Sequence, residues 1–210
     1  MTFDKEFKEA ISLLPDKEKD KLLLRLLKKD INLAQKLHFE LVNTNTIDEQ
    51  REKMENHVRD RVVFFSEGFY SPGYLNMDIR YLSGDITQHV KVTNDKYGDV
   101  SLNLLLLNEV MKHNAIRLDQ NNTAKYKKIK VALLARTFKV LVGIRKVNED
   151  YWMDFDEGLE LLGAAFSAND SIMQLCIFHG LDVNWLLSSD IPENIDEIHK
   201  DLKAKGYLKY

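Results

Sequence analysis

The sequence predicts an all-α protein, a single compact domain over residues 1–210 with about nine or ten helices. Three observations carry this expectation. Apolar residues recur at three- and four-residue intervals along most of the chain, the spacing that lines one face of a helix. Only three prolines and nine glycines punctuate 210 residues, too few for a turn-rich all-β fold. Hydrophobic residues make up 44% and charged residues 30%, a balance that can bury a core and still face water. Neither a fixed-period repeat nor a low-complexity linker is evident, which leaves an irregular bundle or a short helical superhelix.

The elements follow from local signals. Pro15 stands at a first helical position, where its missing N–H costs nothing. Leu22, Leu23, Leu26 and Leu27 then form one face. Asp30 caps the next helix, with Leu33, Leu37 and Leu41 four apart. Thr46-Ile-Asp-Glu49 reads as a capping box, and Met54, Val58, Val62, Phe65 and Phe69 continue it as an apolar stripe. Ser71-Pro72 opens a helix whose stripe is Leu75, Ile79, Leu82, Ile86 and Val90, with Gly84 as its expected point of breakage. Residues 89–104 alternate in a way that also fits a hairpin. Helix is the preferred reading there, because the preceding stripe continues in phase through Val90. A turn is expected at Tyr97-Gly98-Asp99, with Asp99 capping an apolar helix from Leu102 to Met111.

Asn121-Asn122-Thr123 precedes what reads as the longest helix, ending near Val147. Another starts at Asp150 or Asp154 and ends about Asn169-Asp170. Residues 171–179 stop at Gly180, a natural C′ residue. Pro192 opens the last helix, which runs to Gly206.

Composition also excludes classes of protein. The N-terminus is interrupted by charges every second or third residue and has no apolar signal region. No uncharged stretch approaches the roughly 20 residues of a membrane span. Val131 to Ile144 comes closest and is broken by Arg136 and Lys139. A cytoplasmic protein with no membrane partner is expected. The single cysteine, Cys176, excludes an intrachain disulfide framework and a multi-Cys zinc site. No metal site and no cofactor are expected. The phosphate loop, the dinucleotide turn, the Gly-x-Ser-x-Gly elbow and His-Glu-x-x-His are all absent. Cys176 and His179, three apart on one helix, read as a buried small side chain beside a helix-terminal imidazole whose cation suits the dipole.

The charge distribution is the sharpest feature. Eight basic residues and no acid lie between Lys125 and Lys146; twelve acids and no Lys or Arg lie between Val147 and His199. At about 100° per residue, Lys125, Lys128, Arg136, Lys139 and Lys146 share an arc of roughly 80°. Ile129, Leu133, Leu134, Phe138, Val140, Leu141, Val142 and Ile144 fill most of the remainder. This helix is expected in the core, with one basic stripe at an exposed edge. The stripe is either neutralised by the acidic C-terminal third or open to a phosphate-bearing ligand or acidic partner, and Lys128, Arg136 and Lys139 are its candidate binding residues. A net charge of −3 and the lack of aromatics along the stripe argue against nucleic acid.

A second candidate site gathers Asp78, Arg80 and His89, flanked by Tyr70, Tyr74 and Tyr81, polar and aromatic groups of the kind that line pockets. Carboxylates at i, i+3 share a helix face, as a hard cation requires. Glu49 with Glu52, and Glu157 with Glu160, have that spacing, although Glu49 is better explained by its capping box.

The run Leu14-Pro-Asp-Lys-Glu-Lys-Asp-Lys-Leu-Leu-Leu-Arg-Leu-Leu-Lys-Lys-Asp30, with Leu37-His-Phe-Glu-Leu-Val42, Ser71-Pro-Gly-Tyr74 and Leu82-Ser-Gly84, resembles a family of all-helical proteins from Bacteroidetes-type bacteria. That resemblance implies a helical fold and brings no catalytic residues. Members sometimes carry a dUTP nucleotidohydrolase label, which the motifs here do not match. The function expected is therefore a non-enzymatic helical interaction or scaffold protein, binding an acidic partner or phosphate-bearing ligand, or a second copy of itself. The alternative is an all-α, Mg-dependent hydrolase of nucleotide phosphates working through Glu49, Glu52, Glu157 and Glu160.

Overall fold

Side chains that accept a backbone N–H one turn downstream start most of the helices. Asp4 accepts from Phe7, Asp30 from Leu33, Thr46 from Glu49, Ser71 from Tyr74, Asp95 from Gly98 and Asn169 from Ile172. Each satisfies one of the donors that a helix start leaves unpaired. The computed structural model describes residues 3–209. It is all-α, with no strand among the described residues. The helices are α1 (Lys5–Ser12), α2 (Asp16–Leu27), α3 (Ile31–Val42), α4 (Ile47–Glu67), α5 (Pro72–Thr93), α6 (Lys96–Asp119) and α7 (Ala124–Ile144). After a 3-10 helix over Glu149–Phe155 come α8 (Asp156–Ser167), α9 (Asp170–His179), α10 (Asn184–Leu187) and α11 (Ile195–Ala204).

The capping box at Thr46 is present in full: Glu49 N–H donates to Thr46 Oγ1 at 3.1 Å and Thr46 N–H to Glu49 Oε2 at 2.7 Å. Residues 89–104 are helical, as the in-phase stripe requires, but the break falls earlier than expected. Asn94, left-handed at φ 57°, ends α5, and Asp95 rather than Asp99 caps α6. Asp95 presents its carboxylate to the N–H of Gly98 at 2.8 Å, so the next turn is helix and not the expected turn at 97–99. Gly84 does not break α5; a Cβ there would meet nothing within 4 Å, and the apolar face alone carries the helix past it. α6 at 24 residues, not α7 at 21, is the longest helix. α1 and the four-residue α10 lie where the sequence reading placed no element, and the helix expected from Asp150 or Asp154 is divided into the 3-10 helix and α8. Short helices show too few turns for a periodic signal.

The backbone groups into two compact units, residues 1–45 with 91–93, and residues 46–90 with 94–210. The first holds α1, α2 and α3, none of which has a buried residue. The second is an irregular bundle around α6 and α7. α6 packs against α4, α7, α8 and α9, and α7 also against α9 and α11. Its core joins Val58, Val62 and Phe65 of α4, Leu75, Ile79, Leu82 and Ile86 of α5, and long apolar runs of α6 and α7. Every residue of the expected apolar arc of α7 is buried, with Ile129, Leu134, Phe138 and Leu141 wholly so. Gly143 lets α6 approach: a Cβ there would stand 2.9 Å from Val100 Cγ2. Among the described residues no single helix is long and apolar enough to cross a membrane.

Candidate functional site: a cationic seam on α7

α7 is buried on most sides, so its charged residues emerge only between its neighbours. Lys125, Lys128, Lys139 and Lys146 are exposed. Arg136 differs from expectation: it is half-buried rather than on an open edge. Its polar neighbour is Asn103 of α6, with Nη1 3.5 Å from Oδ1. It makes no ion pair among the described residues, and burial pushes its pKa down to about 10. A guanidinium so placed is still charged at neutral pH and has lost part of its water without gaining a carboxylate, which is unfavourable.

Lys139, one turn along, is held below its ordinary value by burial, then by Arg136 and by Lys203 of α11. Asp99 of α6 acts on Lys139 in the opposite sense, but burial raises its own pKa. Among the described residues the acidic C-terminal third pairs with the seam at one end only. Lys146 reaches Asp196 of α11 at 3.8 Å, and Asp196 also holds Lys200. The uncompensated charge therefore concentrates at Arg136, Lys139 and Lys203. Lys128 lies about 12 Å from Arg136 along the helix axis and has no ion pair among the described residues.

Asn103 and Lys203 belong to this site and were not singled out by sequence. They lie on α6 and α11, and nothing in the local pattern ties them to α7. Lys130 was also missed as a core residue. It is fully buried, and its ammonium donates to Asn121 O, Asn122 Oδ1 and Ser171 Oγ at 2.9, 2.8 and 2.7 Å. All three of its donors are satisfied by neutral oxygens, so it ties the start of α7 to the start of α9; burial lowers its pKa.

The second candidate set is spread along α5. Asp78 and Arg80, two residues apart, fall on different faces, and neither makes an ion pair among the described residues. Tyr70, Tyr74 and Tyr81 are exposed. His89 is half-buried, and burial lowers its pKa, with Asp95 and Arg51 acting on it in opposite directions. The carboxylate pairs do not meet. Glu49 is engaged in its capping box, Glu52, Glu157 and Glu160 are exposed, and no three His, Cys, Asp or Glu among the described residues come together as a metal centre.

Cys176 is buried, and burial pushes its thiol up to about 12, far from a reactive thiolate. His179 corrects the expectation of a cationic helix end. It is buried, its pKa is lowered by burial, and its Nδ1 accepts the N–H of Leu208 at 3.2 Å. The neutral ring anchors the C-terminal segment instead. Three clefts of about 250, 420 and 280 Å³ lie elsewhere, beside Trp152, beside Met173 and beside Gln174. Arg136, Lys139, Asp78, Arg80 and His89 line none of the three.

The buried histidines set a pH dependence. His89, His179 and His199 are each held below the ordinary 6.5, first by burial. The unfolded chain then binds more protons than the folded one between the folded pKa and 6.5. Their contribution is complete above pH 6.5 and is lost as pH falls below it; the raised pKa of Asp99 acts in the opposite sense at lower pH. The urea midpoint is expected to drop between pH 7.5 and 5.5, and a His179→Gln/His199→Gln variant is expected to show a flatter profile. Equal slopes for the two proteins would remove these histidines from the explanation.

No protein-family model, no curated protein and no solved structure matches the chain. The seam must therefore be interpreted from its own chemistry.

Proposed function

We propose that this chain is a helical binding protein, not an enzyme, that receives a phosphate-bearing ligand on the α7 seam. The observation that carries the reading is Arg136: a half-buried guanidinium with Asn103 beside it and no ion pair among the described residues, next to Lys139, which itself lies within the field of Lys203. Arg136 and Lys203 each repel Lys139, and a multiply charged anion offsets both that repulsion and the lost hydration. The compactness of the cluster favours one concentrated anionic group over an extended acidic segment, because Lys146 is already engaged by Asp196. The guanidinium supplies paired donors that fit phosphate oxygens, and the ammonium groups supply point charge.

Titration calorimetry with inorganic pyrophosphate tests this, with a poly-glutamate peptide as the competing probe. Pyrophosphate should bind and should weaken as salt rises. Arg136→Gln with Lys139→Gln should cost about tenfold or more in affinity, the scale of one lost charge-assisted hydrogen bond. Lys125→Gln, distant on the same stripe, should change little. Binding of the peptide alone would replace the phosphate ligand by an acidic partner. Absence of binding by either probe would end the reading, and release of phosphate in the presence of Mg²⁺ would favour the hydrolase.

A further inference from the structure

A cleft of about 250 Å³ in the bundle unit is separate from the α7 seam. Arg145 at the end of α7, Trp152 of the 3-10 helix and Asp156 of α8 bring its polar groups, and Ile144, Leu159 and Ile191 its apolar wall. The guanidinium is positioned in advance. It lies 4.4 Å from the centre of the Trp152 ring, and Nη2 donates to Ile191 O. Trp152 is tethered in turn, its indole N–H donating to Val147 O at 3.3 Å. Arg145 Nε, by contrast, is buried and has no hydrogen-bond partner. A buried donor without an acceptor is unfavourable, and Arg145 makes no ion pair among the described residues. A planar cation fixed against a ring, with donors to spare, suits a carboxylate.

Asp156, the first residue of α8, stands exposed on the same cleft, and it too makes no ion pair among the described residues. Two opposite charges thus line one small cavity without meeting each other. A ligand with one charge gains from one of them and is opposed by the other, whereas a zwitterion gains from both. Volume narrows the class further. At roughly 30 Å³ for each water-sized group, the cleft takes about eight, the size of leucine and too small for a nucleotide. Ile144, Leu159 and Ile191 are buried side chains that offer a molecule of this size an apolar contact. We propose that this cleft binds a free apolar α-amino acid, with its carboxylate on Arg145, its ammonium on Asp156 and its side chain against Ile144, Leu159 and Ile191.

Titration calorimetry on the full chain with L-leucine tests this, with isocaproate and isoamylamine as the halves that carry one charge each. L-Leucine should bind, and each half should bind at least about tenfold more weakly, the scale of one lost charge-assisted contact. Asp156→Asn, a change at an exposed position that should leave the urea midpoint in place, should weaken leucine to the level of isocaproate. Arg145→Lys keeps the charge but not the planar fork and should weaken both leucine and isocaproate by about tenfold. The proposal is overturned if leucine does not bind, if isocaproate binds as tightly as leucine, or if Asp156→Asn binds leucine unchanged. The seam variant Arg136→Gln with Lys139→Gln should bind leucine normally, so failure of the anion reading and failure of this one are separable.

Discussion

Leu134→Asp is expected to abolish the folded bundle at 25 °C. Leu134 is fully buried on α7, as is Phe138 one turn on, whose ring stacks on His199 at 5.3 Å and meets Trp185 edge-on at 6.4 Å. A carboxylate at position 134 is shut off from water, and the buried ammonium one turn back, Lys130, already gives its three donors to neutral oxygens, a cost of several kcal/mol, added to the lost packing of about 2–5 kcal/mol. A domain with about 5–15 kcal/mol in total cannot absorb much of that. Far-UV circular dichroism and a urea transition are the measurements. Lys128→Glu on the same helix should move the midpoint by less than about 0.5 kcal/mol, as solvated surface changes do. Arg136 is no such surface control, because it is half-buried. If Leu134→Asp melts like Lys128→Glu, α7 is not a core helix.

Asp95→Ala should cost about 3 kcal/mol. The Asp95 carboxylate, 3% exposed, accepts from Arg51 Nε at 2.7 Å and Nη2 at 3.0 Å, and from Gly98 N–H at 2.8 Å. It thus ties the start of α4 to the start of α6 and caps α6 in one arrangement. Removing one partner of a buried ion pair typically costs about 3–5 kcal/mol. The loss should fall toward the lower end, because Arg51 keeps Asp48 at 2.9 Å and the Tyr97 ring at 4.6 Å. Asp95→Asn keeps an acceptor for Gly98 and should recover about 1 kcal/mol, the usual value of an N-cap. Gly98 belongs to the same device, since a Cβ there would stand 2.1 Å from Asp95 Oδ2. A denaturant midpoint at unchanged slope is the readout, and a loss below about 1 kcal/mol for Asp95→Ala would mean that the pair contributes no more than a surface contact.

The helical fold was legible because its signals are local. The capping box at Thr46, the Ser71-Pro72 start, the Asp30 cap and the αL residue Gly180 each depend on residues within one turn of one another. The burial of α7 was legible for the same reason, as a wide apolar arc on a single helix. The true start of α6 was not: the sequence pointed to Asp99 as the cap, whereas Asp95 caps the helix with its carboxylate held by Arg51, 44 residues away. The site shows the same division. The basic stripe was visible as a periodicity, but which of its charges lacked a partner was not. That depended on α11 placing Asp196 beside Lys146 and Lys203 toward Lys139, and on α6 placing Asn103 beside Arg136.

The sequence by itself determined the secondary structure class, most helix starts and the core face of α7, since caps and periodic burial are settled within one or two turns. Tertiary structure alone decided which charges are neutralised, that Lys130 lies inside satisfied by three oxygens, and that His179 is a neutral anchor. Those outcomes depend on dielectric and on partners distant in the chain, Ser171 for Lys130, Leu208 for His179 and Asp196 for Lys146, 41, 29 and 50 residues away, and no local pattern encodes either.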